Sequence, residues 1–537
     1  VVTPRSAAIV NLGCKVNQSE MEAAARLLRE AGVPLVDPSR GADLVLVNTC
    51  TVTSIADEKS RSAVRRARRA NPDAEIVVTG CSVQVDTGAL ARADPRARLV
   101  DNEGKAGLLR ELEALVRLGG APGDDWPESH GPIDAALPTL SGVEATVASE
   151  VDGIADDRAS IERTRAFVKV QDGCSFFCTY CIIPRARGAE RSLPPELVLA
   201  DIRRALDAGQ REIVLTGINI GTYDGGWSER GARGSHRRSA LTLAGLVRRI
   251  LDETPVERIR LSSIEPQHVD DALLRVWAAG APRTLPHLHL PLQSGDDGVL
   301  RRMGRRYLSA DYARTVALAR AAIRGAAVHA DVIAGFPGED DAAFARTLDF
   351  VRGLELAGLH VFRYSERPGT PATRMAGQVD GRTRKARAGE LLAVAAEARA
   401  AFARRGIGSV TRVLIERPLG DGRWVGHAED HVPVAVDPAR SPSPLPGDLE
   451  QAILTVRRTA IDAAVPDRVI GEILAIDAAP RSQRRALRVL DRTPSHAASP
   501  SRAGSPSHAA SPSHAGSPSR AGSSSRSAAQ IGGAHAR

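Results

Sequence analysis

The stretch Gly173-Cys174-Ser175-Phe176-Phe177-Cys178-Thr179-Tyr180-Cys181 governs the reading of the whole chain. Three cysteines fall within eight residues, spaced C-x3-C-x2-C, beside glycine and polar residues. Thiols packed into a core do not cluster in this way, and a cytosolic setting disfavours disulfides. Structural zinc takes four ligands, usually from two CxxC pairs, and no fourth ligand lies nearby. Three thiolates on a 4Fe–4S cluster leave one iron without a protein ligand, open to a small molecule.

Upstream lie the other three of the six cysteines, Cys14, Cys50 and Cys81. Residues 1–119 alternate between strand and helix patterns. Ala7–Leu12 reads as a strand, and Ser19 with Glu22 as a capping box opening a helix that Gly32 ends. Asp43–Val47 is a second strand, followed by a helix through Arg69 that Asn71-Pro72 stops. Glu75–Val78 is a third, and Arg98–Val100 a fourth before the helix Lys105–Val116. The pattern predicts a parallel sheet. Each cysteine follows a strand, and the carboxyl ends of parallel strands form the binding crevice. Cys14, Cys50 and Cys81 are therefore expected to meet at one edge as a second ligand set.

Downstream, residues 120–164 are rich in Gly, Pro, Asp and Glu and read as a linker, with one short strand near Val143–Val147. Residues 165–404 hold six strand patterns: Phe167–Gln171, Glu212–Leu215, Arg258–Leu261, His287–Leu290, Ala327–Ile333 and Leu359–Tyr364. Helical stretches such as Pro195–Ala208 and Thr242–Asp252 separate them. Six such units predict a partial (β/α)6 barrel or a large open sheet, with chemistry at the strands' carboxyl ends. In residues 405–476, Val410–Glu416, Arg423–His427, Val432–Val436 and Leu449–Arg458 alternate like the strands of a small β-barrel. Residues 477–537 read as a disordered tail, in which Pro494 to Ser519 repeats Ser-Pro-Ser-His/Arg-Ala-Ala/Gly. The fold class is α/β with a small all-β barrel appended.

The formal charge of +8 misleads. Residues 481–537 carry nine Arg, no Lys and one Asp, which account for all of it. Nucleic-acid binding must then rest on local patches rather than on overall charge. No apolar run is long enough to span a membrane, and no signal-peptide pattern opens the chain, so a cytoplasmic protein is expected.

Read in order, further motifs carry a resemblance. The first trio sits in Asn11-Leu-Gly-Cys14-Lys15-Val16-Asn17, Asn48-Thr-Cys50-Thr-Val-Thr53 and Thr79-Gly-Cys81. The central region carries Cys181-Ile-Ile-Pro-Arg-Ala-Arg-Gly188, Leu215-Thr-Gly-Ile-Asn219, Ser262-Ser-Ile-Glu265-Pro, Leu290-Pro-Leu-Gln-Ser-Gly295, Asp331-Val-Ile-Ala-Gly-Phe-Pro-Gly338 and Tyr364-Ser-Glu-Arg-Pro-Gly-Thr370-Pro. The cysteine spacing resembles the radical S-adenosylmethionine (SAM) superfamily. The whole set, over about residues 7–475, resembles the methylthiotransferases. Gly-Cys-Lys-Val-Asn is similar to the branch that acts on N6-threonylcarbamoyladenosine next to the tRNA anticodon. Other branches act on isopentenyladenosine or a ribosomal protein side chain. The resemblance implies an N-terminal methylthiotransferase domain, a radical SAM domain and a TRAM domain that binds RNA. It implies two 4Fe–4S clusters, one on Cys14, Cys50 and Cys81 and one on Cys174, Cys178 and Cys181, with SAM as co-substrate. It also implies partners: the tRNA anticodon stem-loop, a low-potential electron donor such as flavodoxin or ferredoxin, and a sulfur donor. In the family's mechanism one SAM methylates cluster-bound sulfur. A second yields a radical that takes hydrogen from the adenine carbon between two nitrogens. That bond offers no acidic proton to a general base. Two departures stand out: Ser175-Phe176 replaces the usual Asn-Asn or Asn-Phe, and Arg185 stands where Tyr is common. A non-catalytic iron–sulfur RNA-binding protein is the alternative of another class.

For SAM the candidates are Tyr180, near the adenine, and Thr216, Gly217, Asn219, Ser263 and Glu265 at strand ends. A plain strand-end turn explains Thr216 to Asn219 nearly as well. His287 and His289 alternate on one strand, and at least one fits a structural or substrate contact rather than a ligand. Arg61, Arg65, Arg68 and Arg69 share a helix side, and Arg301, Arg302, Arg305 and Arg306 form a second cluster. Either suits tRNA phosphates or a solvated face. With aromatics at 3% of residues, phosphate and shape contacts outweigh base stacking as a basis for RNA binding. No catalytic side chain beyond the cluster ligands is singled out.

Overall fold

A computed structural model of the chain describes residues 4–117, 164–226 and 241–479. The linker with its strand near Val143–Val147 and the repeat tail lie outside the described residues.

The N-terminal part is β1 (Ala7–Asn11), α1 (Lys15–Glu30), β2 (Leu44–Thr49), α2 (Ser54–Ala70), β3 (Glu75–Gly80), α3 (Cys81–Val85), α4 (Thr87–Ala93), β4 (Arg98–Val100) and α5 (Lys105–Arg117). Its four strands pair in parallel in the order β1-β2-β3-β4. β2 is buried on both faces because helices cover each side, so Leu44-Val-Leu-Val47 shows no alternation. α1 and α5 close one core, containing Met21, Leu28, Leu46 and Leu112. α2 and α4 close the other, containing Val45, Val47, Val64 and Leu90. The first helix begins earlier than its capping-box pattern predicts. It starts at Lys15, with Cys14 at the N-cap and Ser19 inside it. The turn through Gly13 sets that start, and no side-chain cap is used.

The central part runs β5 (Arg165–Lys169), β6 (Gln171–Asp172), α6 (Ile183–Arg187), β7 (Arg191–Ser192), α7 (Pro195–Asp207), β8 (Glu212–Thr216), α8 (Leu243–Glu253), β9 (Arg258–Leu261), α9 (Asp271–Ala279), β10 (His287–His289), α10 (Asp297–Met303), α11 (Ser309–Ala322), β11 (Ala327–Ala334), α12 (Asp341–Gly353), β12 (Gly358–Arg363) and α13 (Gly381–Arg405). The six expected strands are all present and parallel, as β5-β8-β9 and β10-β11-β12. The bridge Ser263↔His289 joins the two sets into one curved, partial barrel. Helices wrap its outside over a core that includes Ile213, Leu215, Ile259, Leu261, Val332 and Trp277. The 25-residue α13 follows the last strand. Alanine fills so many of its positions that no clear apolar stripe announces it.

Beyond α13 comes a closed five-stranded barrel: β13 (Val410–Pro418), β14 (Trp424–Ala428), β15 (Pro433–Val436), β16 (Ile453–Asp462) and β17 (Val465–Ala478), in the order β13-β14-β15-β17-β16. Sequence patterning shows four of these strands. The fifth, β17, contains Pro466, Asp467 and Gly471, which mask its alternation, yet it closes the barrel against β15 and β16. No helix among the described residues is long and apolar enough to cross a membrane.

Candidate functional site

The first trio is assembled by turns at the carboxyl ends of β1, β2 and β3. Gly13 has φ +110°, and a Cβ there would lie 2.9 Å from the Cys50 Cβ. Gly80 has φ +104°, and a Cβ there would run into the Thr49 carbonyl oxygen. Glycine precedes Cys14 and Cys81 because these turns press together in a backbone conformation that L side chains resist. The asparagines of the motifs tie them. Asn17 Nδ2 donates to the carbonyl oxygens of Leu12 (2.7 Å) and Thr49 (3.0 Å). Asn48 Nδ2 donates to the Asn17 carbonyl (3.0 Å) and to Asn11 Oδ1 (3.2 Å). The Ser60 and Ser82 hydroxyls donate to the Cys50 carbonyl at 3.0 and 2.8 Å. Burial, together with the Cys81 and Cys14 thiols beside it, pushes the Cys50 thiol up to about 12. Burial also raises Cys81. All six cysteines are free. Cys50 and Cys81 are buried and Cys14 is exposed beside them, and three thiols so gathered suit a metal cation that takes the place of their protons, so the donor set fits an iron–sulfur cluster.

The second trio sits on one loop. Cys174 N donates to the Gly188 carbonyl (3.1 Å), and Thr179 N to the Met303 carbonyl (3.0 Å). The loop is thus fastened to the end of α10. Burial and the adjoining thiols push Cys181 up to about 12. Arg305 Nη1 donates to Cys178 Sγ at 3.3 Å and to the Tyr180 hydroxyl at 3.2 Å, while Nη2 binds Glu265. Burial raises the Glu265 carboxyl against the pull of Arg305. Beside this loop the strand ends carry orphaned polar atoms. Thr216 Oγ1, Asn219 Nδ2 and Oδ1, and Ser262 Oγ are buried without a hydrogen-bond partner among the described residues. Such atoms at the carboxyl ends of β8 and β9 point to a polar ligand, and SAM fits that requirement. Ser262 joins this set in the structure; the sequence motif singles out its neighbours Ser263 and Glu265. Ser263 Oγ is 3.2 Å from His289 Nδ1, and His289 Nε2 is 2.7 Å from Asp331 Oδ1. Gly217 has a protein-packing reason of its own, because a Cβ there would lie 2.9 Å from the Gln171 carbonyl oxygen.

Arg187 connects the two trios. The short α6 leaves Cys181 and delivers Arg187 into the N-terminal part, where it is 3% exposed. Its Nη1 is 3.1 Å from Glu20 Oε1 and 3.0 Å from Asp172 Oδ1, and its Nη2 binds Asn17. Glu20 also pairs with Lys105 (2.6 Å) and Lys169 (3.1 Å). Burial alone would raise the Glu20 carboxyl, but these three cations outweigh it and hold it well below the usual carboxylate range. Next to this network Asn102 Nδ2 donates to the Ala186 carbonyl (2.7 Å) and reaches Cys81 Sγ at 3.7 Å. On the opposite flank Arg367 donates to Thr51 Oγ1 (2.6 Å) and binds Asp57, whose Oδ1 lies 3.0 Å from the Ser82 hydroxyl oxygen. None of these polar residues has a cysteine's distinctive spacing. The visible signals are Arg187 inside Cys181–Gly188 and Arg367 inside Tyr364–Pro371.

Between the parts lies a cavity of about 1020 Å³, lined in part by Cys14, Cys50, Lys59, Arg363, Tyr364 and Arg384. Edge-on ring contacts link Tyr180 to the lining residue Tyr364: Tyr180 packs against Phe336 (6.3 Å between centroids), and Phe336 against Tyr364 (5.5 Å). Arg384 is paired with Glu366 at 3.0 Å. Lys59 and Arg363 have no carboxylate partner among the described residues.

The arginine clusters split. Arg68 is tied to Asp94 at 2.9 Å and to the Ala74 carbonyl, so it is not free for phosphate, whereas Arg65 and Arg69 are exposed. Arg305 is buried against Cys178, while Arg301 and Arg306 are exposed.

A family model described as uncharacterized protein family UPF0004 matches residues 6–101, and the radical SAM superfamily model matches residues 168–351. The chain is 36% identical to the threonylcarbamoyladenosine tRNA methylthiotransferase MtaB of Bacillus subtilis, covering 79% of this chain and 88% of that one. It is 34% identical to the protein of the same name from Thermotoga maritima (79% and 89%). It is also 34% identical to the tRNA-2-methylthio-N(6)-dimethylallyladenosine synthase of Maricaulis maris (79% and 89%). Among solved structures it is similar to the radical SAM methyltransferase TsrM of Kitasatospora setae, with a TM-score of 0.47 at 16% identity over 68% of this chain and 74% of that one.

Proposed function

Because the chain belongs to the radical SAM methylthiotransferase family, we propose that it adds a methylthio group to the adenine ring of N6-threonylcarbamoyladenosine next to the anticodon of a tRNA. The observation that carries the choice of substrate is the pair of unpaired cations, Lys59 and Arg363, in the cavity that Cys14 and Cys50 line. A threonylcarbamoyl group ends in a carboxylate, which these two side chains are suited to bind. A dimethylallyl group is apolar and offers neither cation a partner, so it gains nothing from them.

With two 4Fe–4S clusters and SAM bound, the cofactors supply the sulfur, the methyl group and the hydrogen-abstracting radical. The chain's own residues bind, orient and exclude water. Cys14, Cys50 and Cys81 hold one cluster and Cys174, Cys178 and Cys181 the other. Thr216, Asn219, Ser262, Ser263 and Glu265 take the polar groups of SAM, and Tyr180 borders its adenine. Lys59 and Arg363 hold the substituent's carboxylate. Arg65 and Arg69 on α2 meet tRNA phosphates, and the C-terminal barrel serves as a TRAM-type RNA grip. A low-potential electron donor and a sulfur donor complete the reaction, in the cytoplasm where tRNA is modified.

The test is anaerobic turnover of tRNA carrying threonylcarbamoyladenosine, read by nucleoside mass spectrometry. The 2-methylthio product is expected. Lys59→Ala with Arg363→Ala should lower that turnover ~10- to 100-fold, the worth of a charged hydrogen bond or two. The Maricaulis relative supports a second reading, isopentenyladenosine. Product from that tRNA alone, indifferent to both substitutions, would replace the first reading with the second.

A further inference from the structure

The inner wall of the central barrel carries two layers of histidines that cluster chemistry does not use. His287 and His289 alternate on β10, and His329 and Asp331 alternate on β11, so each pair faces the same way. The layer nearer the SAM-side strand ends is self-satisfied. Asp331 Oδ1 lies 2.7 Å from His289 Nε2 and 3.1 Å from His360 Nδ1, and Ser263 occupies His289 Nδ1. The layer nearer the strand starts is different. His287 and His329 meet His431, which the C-terminal barrel presents from the turn between β14 and β15 with φ +70°. One ring nitrogen from each of the three lies within 4.8 Å of the others. His287 Nδ1 and His329 Nδ1 are buried and have no hydrogen-bond partner among the described residues.

We propose that His287, His329 and His431 form a binding site for a borderline divalent transition-metal ion of the zinc type, one that pins the C-terminal barrel to the floor of the central barrel. Neutral imidazole is the ligand that zinc, cobalt and nickel share, and three from separate strands and a turn leave a fourth position for solvent. Burial, reinforced by nearby cations such as Arg260, holds all three imidazoles well below their ordinary value. Arg165 is the competing group. It donates to His431 Nε2 at 3.1 Å and to Glu416 Oε1 at 2.9 Å. Metal entry needs it to release the first and keep the second. The site would fix the same interface that Arg258 and Arg260 already bond across, to the carbonyls of His427 and Glu429 (3.3 and 3.2 Å).

The experiment uses the full chain with both clusters loaded, dialysed against micromolar zinc and then against buffer, with metals counted by plasma mass spectrometry. One zinc per chain is expected beyond the iron, with X-ray absorption showing nitrogen and oxygen neighbours and no sulfur. His287→Ala with His329→Ala should remove the zinc and leave the iron unchanged. If that pair fails to fold, His431→Asn, which tolerates the left-handed turn, should lower zinc occupancy at least tenfold. Zinc should also raise the melting temperature of the unaltered protein but not of the variant. A chain without zinc, zinc on sulfur, or zinc retained in the variants overturns the proposal. None of these outcomes depends on which nucleoside the enzyme modifies.

Discussion

The two cysteine trios bring three thiols together by opposite routes. Cys174, Cys178 and Cys181 lie on one loop, half-buried, so their meeting is a local property of seven intervening peptide bonds. Cys14, Cys50 and Cys81 come from three turns separated by whole βα units, and they meet only because a parallel sheet aligns its carboxyl ends. The local trio depends on its loop. The distant trio depends on every contact that keeps three turns and two parts of the chain in register. Their sensitivities to mutation should therefore differ in kind.

The largest effect should come from removing each set in turn. Replacing Cys174, Cys178 and Cys181 by Ala should abolish SAM cleavage and halve the reconstituted iron, from about eight to about four atoms per chain. Replacing Cys14, Cys50 and Cys81 by Ala should halve the iron equally but leave reductive cleavage of SAM intact, with no methylthio product. Cleavage lost in both variants would erase the distinction.

Arg187→Met comes next. It leaves Glu20 and Asp172 buried with one cation fewer, at a cost of about 3–5 kcal/mol in unfolding free energy, read from the urea midpoint. Iron should be lost from the distant trio first, with SAM cleavage surviving.

Acid should act in the same direction, more gradually. The folded Glu20 and Asp172 carboxyls are both held below their ordinary values. Their contribution is therefore complete above the unfolded carboxylate pKa of about 4. It fades as pH falls below that value toward the depressed folded ones. Apoprotein melting temperatures between pH 7 and pH 3 should fall mainly at the acid end, and less so in Arg187→Met.

Asn102→Ala should be the mildest. It removes the 2.7 Å bond to the Ala186 carbonyl and the contact to Cys81 Sγ, worth about 1 kcal/mol. A small rise in chelator-driven iron loss, confined to the distant trio, would measure it.

Much of this was legible in the chain because strands and cysteine spacing are near-neighbour properties. The six strands of the central barrel and the four of the N-terminal sheet follow from short apolar or alternating runs. The sequence pattern places the start of α1 too late because Ser19 and Glu22 satisfy a capping pattern, while the turn at Gly13 acts through contact with Cys50. The arginines were the least legible. In sequence, Arg65 and Arg68 look alike, as do Arg305 and Arg306. In the fold Arg68 is spent on Asp94 and Arg305 on Cys178 and Glu265. Asn102, Glu20 and Lys105 carried no mark, because ordinary polar residues take their roles from what packs against them.

By itself the sequence determined the six ligand candidates, their division into one local and one distributed set, and the strand ends that bear them. These are matters of order and spacing along a chain. Tertiary structure alone decided which cations are left free in the cavity, how Arg187 reaches from one trio to the other, and that three histidines from two barrels converge. Charge pairing and ligand geometry depend on distance through space, and residues such as Glu20 and Arg187 become neighbours only once the sheet and the barrel are packed together.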